Sequence, residues 1–463
     1  MTRGAVSEDS PYEIVEQNSA SFVPLSARHG QVRDLFTLWF TTSIAPFPIV
    51  TGASIGLQSH LSLFWAISAI LCGHLLGSLV LAACSAQGPQ MGLAQMVQAR
   101  GQFGRYGALL IVSISALLYL GFFTSNTVLA GQALHGLVPV VGIGTGGLLA
   151  AFCAVTIGIL GYRTIHLLNR VGMWFMATAL LAAFACVLAR TPASAWSLQG
   201  FNTLGWLLCF STSLVWNTSY ACYTSDYSRY LPPSVGLRRP FLASLAGSAS
   251  GAALSFIFGA VVAASMPQLH DPMQAVSSAT GWLGPVLLFL FLLNIISHNA
   301  LNVYGAVLAL ITMLQTFIAS WEPGRGARIG IAGVVLAGCL GVAGAFADSA
   351  VPVFINIVVA LLIVLVPWVT INICDFYILR KGQYDIASFF RADGGRYGLF
   401  DWPACAAFLI GVAVQLPITA NAFFTGPAVH LLHGINIGWL ISPPVTLFAF
   451  LALRRARDGK RPQ

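Results

Sequence analysis

Charged side chains are scarce in this chain. Asp, Glu, Lys and Arg together make up 8% of its 463 residues, whereas a soluble domain carries about 25%. Hydrophobic residues make up 57% of the chain, and the mean hydropathy is +0.81. This composition excludes an ordinary soluble domain and predicts a polytopic membrane protein, with the lipid bilayer as its first partner.

Signals for metal binding, disulfides, secretion and catalysis are also missing. The nine cysteines occur singly, without a CxxC pair, so we expect neither disulfides nor a structural metal site. Residues 1–17 are polar and lack the apolar core of a signal peptide, so we expect no cleaved signal. The apolar segments contain no mid-membrane acidic cluster, which disfavours an enzyme. The short tails, 1–34 and 454–463, disfavour a sensor with a soluble domain.

The basic residues follow a topological pattern. Runs of about 20 apolar residues predict twelve membrane spans, centred near residues 46, 72, 120, 150, 180, 212, 252, 298, 337, 364, 412 and 444. With a cytoplasmic N-terminus, all of the 22 Lys and Arg residues except Arg190 fall in cytoplasmic loops or tails, as positive-inside topology requires. We therefore expect a multi-pass protein of the inner or plasma membrane with both termini cytoplasmic. The net charge of +8 reflects topology, and we expect no nucleic-acid partner.

Two predicted spans are interrupted by polar residues and prolines. The breaks are at 43–52 (SIAPFPIVTG) and 211–233 (STSLVWNTSYACYTSDYSRYLPP). Irregular backbone at membrane depth is tolerated where it lines a cavity, and paired breaks indicate a transporter's binding site. The pattern predicts an all-α fold of the LeuT type, with a five-plus-five inverted repeat, broken helices one and six, and two peripheral helices. The predicted segments are a cytoplasmic N-terminal tail (1–34), a first repeat (35–190), a second repeat (191–379), a cytoplasmic loop with helices eleven and twelve (380–453), and a cytoplasmic C-terminal tail (454–463).

Several runs of the sequence are similar to one known family. They are 24–46 (PLSARHGQVRDLFTLWFTTSIAP), 88–107, 220–233 (YACYTSDYSRYLPP), 297–310 (SHNALNVYGAVLAL) and 367–390. In this order and spacing they resemble the nucleobase–cation symporter family 1, which comprises permeases for cytosine, purines, uracil, thiamine and allantoin. The resemblance covers the chain from about residue 24 to residue 415.

The resemblance implies a flat heterocycle held between two aromatic rings, with amide side chains reading its edge. The rings would be Phe122 in helix three and Tyr220 in helix six, where the family generally carries Trp, and Trp216 is a competing aromatic. The amides would be Asn126 and Asn302. This chemistry suits a nucleobase, because base–aromatic stacking contributes about 1–3 kcal/mol and an amide offers both a donor and an acceptor.

His298 and Ser43 complete the candidate substrate ligands. His298 lies one turn before Asn302, and we expect it to contact substrate or take part in proton coupling, the alternative being a neutral core histidine. Ser43 lies at the first break. His74, in the second span, is interpreted as structural, and Asp226 with Arg229 as an inside gate or loop anchor.

Sodium-coupled relatives imply a cation site between broken helix one and helix eight. Backbone carbonyls around Thr42 and Ala45 would contribute, together with two adjacent hydroxyls on helix eight. Here the corresponding pair is Ile296 and Ser297, so one hydroxyl is missing. We expect coupling to protons, or a weakened sodium site, and no bound cofactor.

The resulting expectation is a secondary active transporter that imports a nucleobase such as cytosine or a purine by alternating access. The same fold could instead serve hydantoin, allantoin, uracil or a vitamin precursor such as thiamine or pyridoxine. The sequence leaves the oligomeric state open, with a monomer as the default expectation.

Overall fold

The computed structural model describes residues 21–160, 162–266, 272–318, 320–345, 350–421, 424–432 and 437–458. Residues 1–20 of the predicted N-terminal tail and 459–463 of the C-terminal tail lie outside the described residues. The first half of the fold contains helices α1 (Val32–Ser43), α2 (Pro46–Ser59), α3 (Leu63–Ser85), α4 (Gln87–Met91), α5 (Gln95–Phe103), α6 (Ala108–Leu137), α7 (Ile143–Leu160) and α8 (Tyr162–Leu188).

The second half is also helical. Its helices are α9 (Thr203–Ser219), α10 (Ser225–Ser228), α11 (Arg238–Ser265), α12 (Pro272–Thr280), α13 (Gly284–Phe317), α14 (Arg325–Ala345), α15 (Ala350–Ile373), α16 (Trp402–Ala413) and α17 (Gly438–Asp458). One two-residue hairpin departs from the all-α expectation, with β1 (Ala420–Asn421) antiparallel to β2 (Phe424–Thr425). A protein that places polar backbone in lipid satisfies it within each helix, which accounts for the helical content.

The first predicted break separates α1 from α2. The two helices are bent by 53° relative to each other, and Ala45 between them has extended backbone. Pro46 and Pro48 start α2, where proline fits because the first amides of a helix have no partner within the helix. The break therefore lies at the residues that the sequence indicated.

The second predicted break follows α9. The α-helix ends at Ser219, continues as a 3-10 turn over Tyr220–Tyr223, and resumes as the short α10. All of Tyr220–Tyr223 is buried, so this irregular backbone is enclosed by protein. The inverted relation between the two halves remains a prediction.

Glycines allow α11 to pack closely against the broken first helix. A Cβ at Gly247, Gly251 or Gly259 would overlap the carbonyl oxygens of Phe36, Phe40 and Ile49 respectively. Small residues at spacings of four place a flat stripe on one helix face and let two backbones approach. The α1–α2 unit and α11 therefore form one close-packed element.

Every predicted span centre falls within a helix. Among the described residues, six helical segments are long and apolar enough to cross a membrane, and the bent α1–α2 pair makes a seventh. Others are shorter, such as 363–379 and 402–418, so the total of twelve spans stays a prediction. The run 142–147 (GIGTGG), whose glycines predict a loop between helices, is mostly helical, since α7 begins at Ile143. Its Gly147 packs against the backbone of Thr127 in α6, and packing outweighs the weak helix propensity of glycine.

We expect Gly259→Val to loosen the contact between α11 and α2. An added side chain would collide with backbone, and overpacking costs about 1–3 kcal/mol. The unfolding midpoint of the purified protein in detergent should fall. Gly338→Val is the matched control, since no atom lies within 4 Å of a Cβ at that position. Equal midpoints for the two variants would contradict the packing argument.

Candidate functional site

Phe122 and Tyr220 form a stacked pair at the centre of the protein. Their ring centroids are 5.5 Å apart with an interplanar angle of 15°, and both side chains are fully buried. Helix α6 positions Phe122, and the 3-10 turn after α9 positions Tyr220. The structure thus brings together the two rings that the sequence predicted as a pair.

Trp216 closes one edge of this pair. Its ring lies edge-on to Phe122, with centroids 5.9 Å apart, and edge-on to Phe47 of α2 at 5.3 Å. It also contacts Phe256 of α11 at 5.4 Å. Because Trp216 meets aromatic rings on several sides, it is a wall of the aromatic cluster.

His298 borders the stacked pair from α13. The imidazole centroid is 6.4 Å from the Phe122 ring and 6.3 Å from the Tyr220 ring. Thr42, beside the first break, lines the same small cavity as His298. The histidine therefore lies near both the aromatic pair and the interrupted helix.

A small cavity lies beside these residues. It is lined by Leu38, Trp39, Thr42, Tyr119, Tyr220, Tyr223, Tyr227, His298, Leu301 and Asn302. Its volume is about 10 Å³, which is about the minimum that holds one water molecule. In this conformation the cavity is too small for a heterocycle.

Buried polar atoms without hydrogen-bond partners converge around the cavity and the stacked rings. Within the described part of the chain, Trp39 Nε1, Thr42 Oγ1, Tyr220 OH, Tyr223 OH and His298 Nδ1 belong to residues that line the cavity, and Trp216 Nε1 belongs to a ring beside the pair. Asn126 Nδ2, one helical turn after Phe122, and Ser297 Oγ, next to His298 in sequence, are also unpartnered. Leaving a buried donor or acceptor unsatisfied costs about 1–3 kcal/mol. These atoms are available to hydrogen-bond a polar ligand.

The two predicted amides occupy different environments. Asn302 lines the cavity and donates from Nδ2 to Asn299 Oδ1 within α13, at 3.1 Å. Asn126 is buried, with Nδ2 unpartnered among the described residues, but it does not line that cavity. Asn299, which sequence reasoning did not single out, donates to Phe123 O at 3.0 Å and to Thr127 Oγ1 at 3.3 Å. Asn299 therefore ties α13 to α6.

The candidate cation ligands are only partly free. The carbonyl of Ser43 accepts a hydrogen bond from Ser255 Oγ at 2.9 Å. The carbonyl of Ala45 accepts from the Ile49 amide at 3.4 Å as α2 begins. Neighbouring Thr41 accepts from Asn294 Nδ2 of α13 at 3.2 Å. Side-chain donors thus contact the carbonyls on either side of Thr42, and Ser297 Oγ, the third candidate, has no hydrogen-bond partner among the described residues.

Toward the predicted cytoplasmic end, α10 is tied to surrounding helices. The Asp226 carboxylate accepts hydrogen bonds from the backbone N–H of Gln95 at 2.7 Å and from Tyr119 OH at 3.0 Å. Tyr227 OH donates to Leu301 O at 3.3 Å, and Arg229 donates to Tyr304 OH at 3.1 Å. Sequence reasoning named Asp226 and missed Tyr119, which gave no signal because a tyrosine in an apolar helix is ordinarily packing.

Comparison with solved structures reports on the fold. Over 97% of both chains, the structure matches Mhp1, a nucleobase-cation-symport-1 family transporter solved in a closed conformation with bromovinylhydantoin bound, with a TM-score of 0.77 and 16% sequence identity. The fold is therefore mostly helical with a broken first helix, and it resembles that of a LeuT-type transporter.

Sequence comparison identifies the family. The family described as permease for cytosine/purines, uracil, thiamine, allantoin matches residues 22–442. YxlA of Bacillus subtilis, which is named as a purine-cytosine permease, is 32% identical over 96% of this chain and 97% of its own length. The purine-cytosine permease fcyB of Emericella nidulans is 24% identical over 95% of this chain and 88% of its own length. The chain belongs to this permease family and is a transporter, not an enzyme.

Asn299 and Asn302 should separate in their effects when each is changed to Ala. Asn299→Ala removes the hydrogen bonds between α13 and α6, and we expect the free energy of unfolding to fall by about 1 kcal/mol. Asn302→Ala breaks a contact within α13 only, so stability should change less while substrate uptake falls more. Thermal unfolding and uptake by reconstituted protein would measure both. A loss of stability equal to that of Asn299→Ala, with normal uptake, would make Asn302 purely structural.

Proposed function

We propose that the protein imports a nucleobase, cytosine or a purine, across the membrane by cation-coupled alternating access. The observation that carries this proposal is the stacked pair of Phe122 and Tyr220, surrounded by unpartnered buried polar atoms. A nucleobase has two π faces and a rim of donors and acceptors. Aromatic rings would cover its faces, and the polar atoms would meet its rim.

Substrate entry requires the stacked rings to separate. Carbon atoms in contact lie about 3.5–4.0 Å apart, so a flat ring between two others needs roughly 7 Å between the outer planes. The centroids of Phe122 and Tyr220 are 5.5 Å apart. The two rings stack on each other, so this is a closed conformation, and the ring planes have to move to roughly 7 Å apart before a heterocycle fits between them.

Trp216, Asn126, Asn302, His298 and Ser43 support the pair in distinct ways. Asn302 and His298 border the cavity and would read the edge of the heterocycle. Asn126 and Trp216 hold unpartnered donors near it, and Ser43 stands at the break. A site built to hydrogen-bond a substrate edge rejects analogues that lack those groups.

A second candidate is the same transport cycle with another small heterocycle. The family description also covers uracil, thiamine and allantoin, and Mhp1 is described with a hydantoin bound. Phe122 and Tyr220 stand where the family generally carries tryptophan, so the surface that stacks on the substrate differs from that of most relatives. The substrate screen therefore includes these other heterocycles. Aromatic stacking tolerates ring identity, and the edge contacts would decide.

We infer that the coupling ion is a proton. The family resemblance implies two adjacent hydroxyls on helix eight, which is α13 here, and the chain has only Ser297. The carbonyls of Ser43 and Thr41 already accept hydrogen bonds from Ser255 and Asn294. Sodium prefers several oxygen ligands, and donor side chains are poor neighbours for a cation. His298 and Thr42 line the same cavity, so a charge gained by His298 on protonation would be placed beside α1 at the break.

Alternating access would open the predicted cytoplasmic side by breaking the contacts of α10. Asp226 bonds across to Tyr119 of α6, and Tyr227 and Arg229 bond to Leu301 and Tyr304 of α13. These bonds join α10 and the residue after it to α6 and α13. Inward opening would exchange them for water, which makes them the inner gate of the proposed cycle.

Uptake of labelled cytosine, adenine, hypoxanthine, uracil, allantoin and hydantoin tests the substrate assignment. We expect cytosine or a purine to be taken up, and Tyr220→Ala to weaken its apparent affinity about 5- to 150-fold, because one stacking contact is worth about 1–3 kcal/mol. Tyr220→Trp should retain transport. Phe448→Ala, at a 77% exposed position, is the aromatic control. If no tested nucleobase competes at millimolar concentration, the nucleobase assignment is wrong.

Uptake in proteoliposomes with imposed gradients tests the coupling ion. We expect an inward proton gradient to drive accumulation, and replacement of sodium by choline at fixed pH to change the rate less than about twofold. Replacing His298 with Asn should abolish the dependence on the proton gradient, because the amide does not titrate. His135→Asn, on the exposed end of α6, serves as the matched control. Transport that collapses in choline would instead establish sodium coupling.

A further inference from the structure

A cleft rich in arginine shares no lining residue with the cavity at the proposed substrate site. It opens between the end of α15, the segment 395–402 and the end of α17, and its volume is about 1060 Å³. We call it the arginine cleft, and its basic residues are Arg380, Arg396, Arg454, Arg455 and Arg457. The distribution of basic residues predicts that this face is cytoplasmic. The cleft is not needed for the transport cycle proposed above.

Two buried carboxylates fix the floor of the arginine cleft. Asp375 pairs with Arg380 at 2.8 Å and with Arg454 at 3.4 Å. Asp401 pairs with Arg454 at 3.1 Å and with Arg457 at 2.6 Å. Arg454 thus bridges both acids. The network fixes three guanidinium groups against the two acids, so Arg380, Arg454 and Arg457 shape the floor of the cleft and are already paired.

The cleft carries more positive than negative charge. Its acidic residues are Asp375, Asp401 and Asp458, against the five arginines. Arg396 and Arg455 are exposed, and no ion pair involving them occurs among the described residues. These two guanidinium groups remain available to an anion, and a planar guanidinium suits the oxygens of a phosphate.

Exposed apolar side chains surround the mouth of the cleft. Phe400 is 64% exposed, Ile378 is 55% exposed and Trp402 is 49% exposed, and all of them line the cleft. Trp402 begins α16, an apolar helix, and tryptophan favours the boundary between headgroups and hydrocarbon. The cleft therefore combines a basic floor with an apolar rim at the end of membrane helices.

We propose that the arginine cleft binds the headgroup of an acidic phospholipid. The lipid phosphate contacts Arg396 and Arg455, and its acyl chains run over Ile378 and Trp402 toward the bilayer. Basic pockets between membrane helices on the cytoplasmic side are suited to such headgroups. A soluble phosphate compound would satisfy the arginines but leave the apolar rim exposed to water.

Lipid retention by the purified full-length chain tests this proposal. The protein in nonionic detergent is titrated with phosphatidylglycerol or phosphatidylcholine, and bound lipid is counted by native mass spectrometry. We expect saturable binding of phosphatidylglycerol in preference to phosphatidylcholine. Arg396→Gln with Arg455→Gln should weaken it about 30-fold, because each basic side chain near an anionic surface contributes roughly a fivefold change. The double variant Arg396→Lys with Arg455→Lys should keep most of the affinity for phosphatidylglycerol, because both positive charges remain.

The matched control removes two charges elsewhere on the same predicted face. Arg238 and Arg239 begin α11 and are exposed, so Arg238→Gln with Arg239→Gln should leave binding within about twofold. An equal loss in this control would show diffuse surface attraction and overturn the proposal. Inorganic phosphate or glycerol 3-phosphate that displaces the lipid at equal concentration would assign the cleft to a soluble anion. Unchanged binding in the Arg396/Arg455 variant would also overturn it.

Discussion

The structure depends on how the backbone is satisfied at the break between α1 and α2. In hydrocarbon an unpaired backbone polar group costs several kcal/mol, so the break persists only if other elements supply partners. Pro46 and Pro48 remove two donors outright. Ser255 of α11 then donates to the Ser43 carbonyl, and Asn294 of α13 donates to the Thr41 carbonyl.

These two hydrogen bonds have different consequences for motion. Close packing against glycines joins α11 to the broken helix, so the Ser255 bond can persist when that unit moves. The Asn294 bond reaches across to α13, which is held to α6 by Asn299. A movement of α1 and α11 against α6 and α13 would therefore break the Asn294 bond and keep the Ser255 bond. The hydrogen bonds at the break therefore satisfy the backbone of α1, and one of them, from Asn294, lies where α1 would move against α13.

The sequence predicts the parts of the site that depend on local chemistry. Prolines and polar residues located both breaks, and the resemblance to a family placed Phe122 and Tyr220 as a pair. It did not predict the partners of Asp226 or the anchoring role of Asn299, because these depend on how helices distant in sequence are rotated against each other. The glycines of the run 142–147 predict a loop, and this prediction is wrong because the contact of Gly147 with α6 favours helix there. Three-dimensional packing, which local propensity does not encode, supplied the rest.

The closed site has satisfied ring faces and unsatisfied polar edges. Stacking of Phe122 on Tyr220 covers the apolar faces, and such an aromatic pair is worth about 0.5–1.5 kcal/mol beyond its buried area. The hydroxyl of Tyr220 and Nδ1 of His298 have no partner among the described residues, and each such atom costs about 1–3 kcal/mol. A flat hydrocarbon ring entering the site would stack on both rings but leave those polar atoms unpaired. A flat heterocycle would replace one stacking contact by two and satisfy the polar atoms, so the proposed site discriminates by the rim of its ligand and not by the ring.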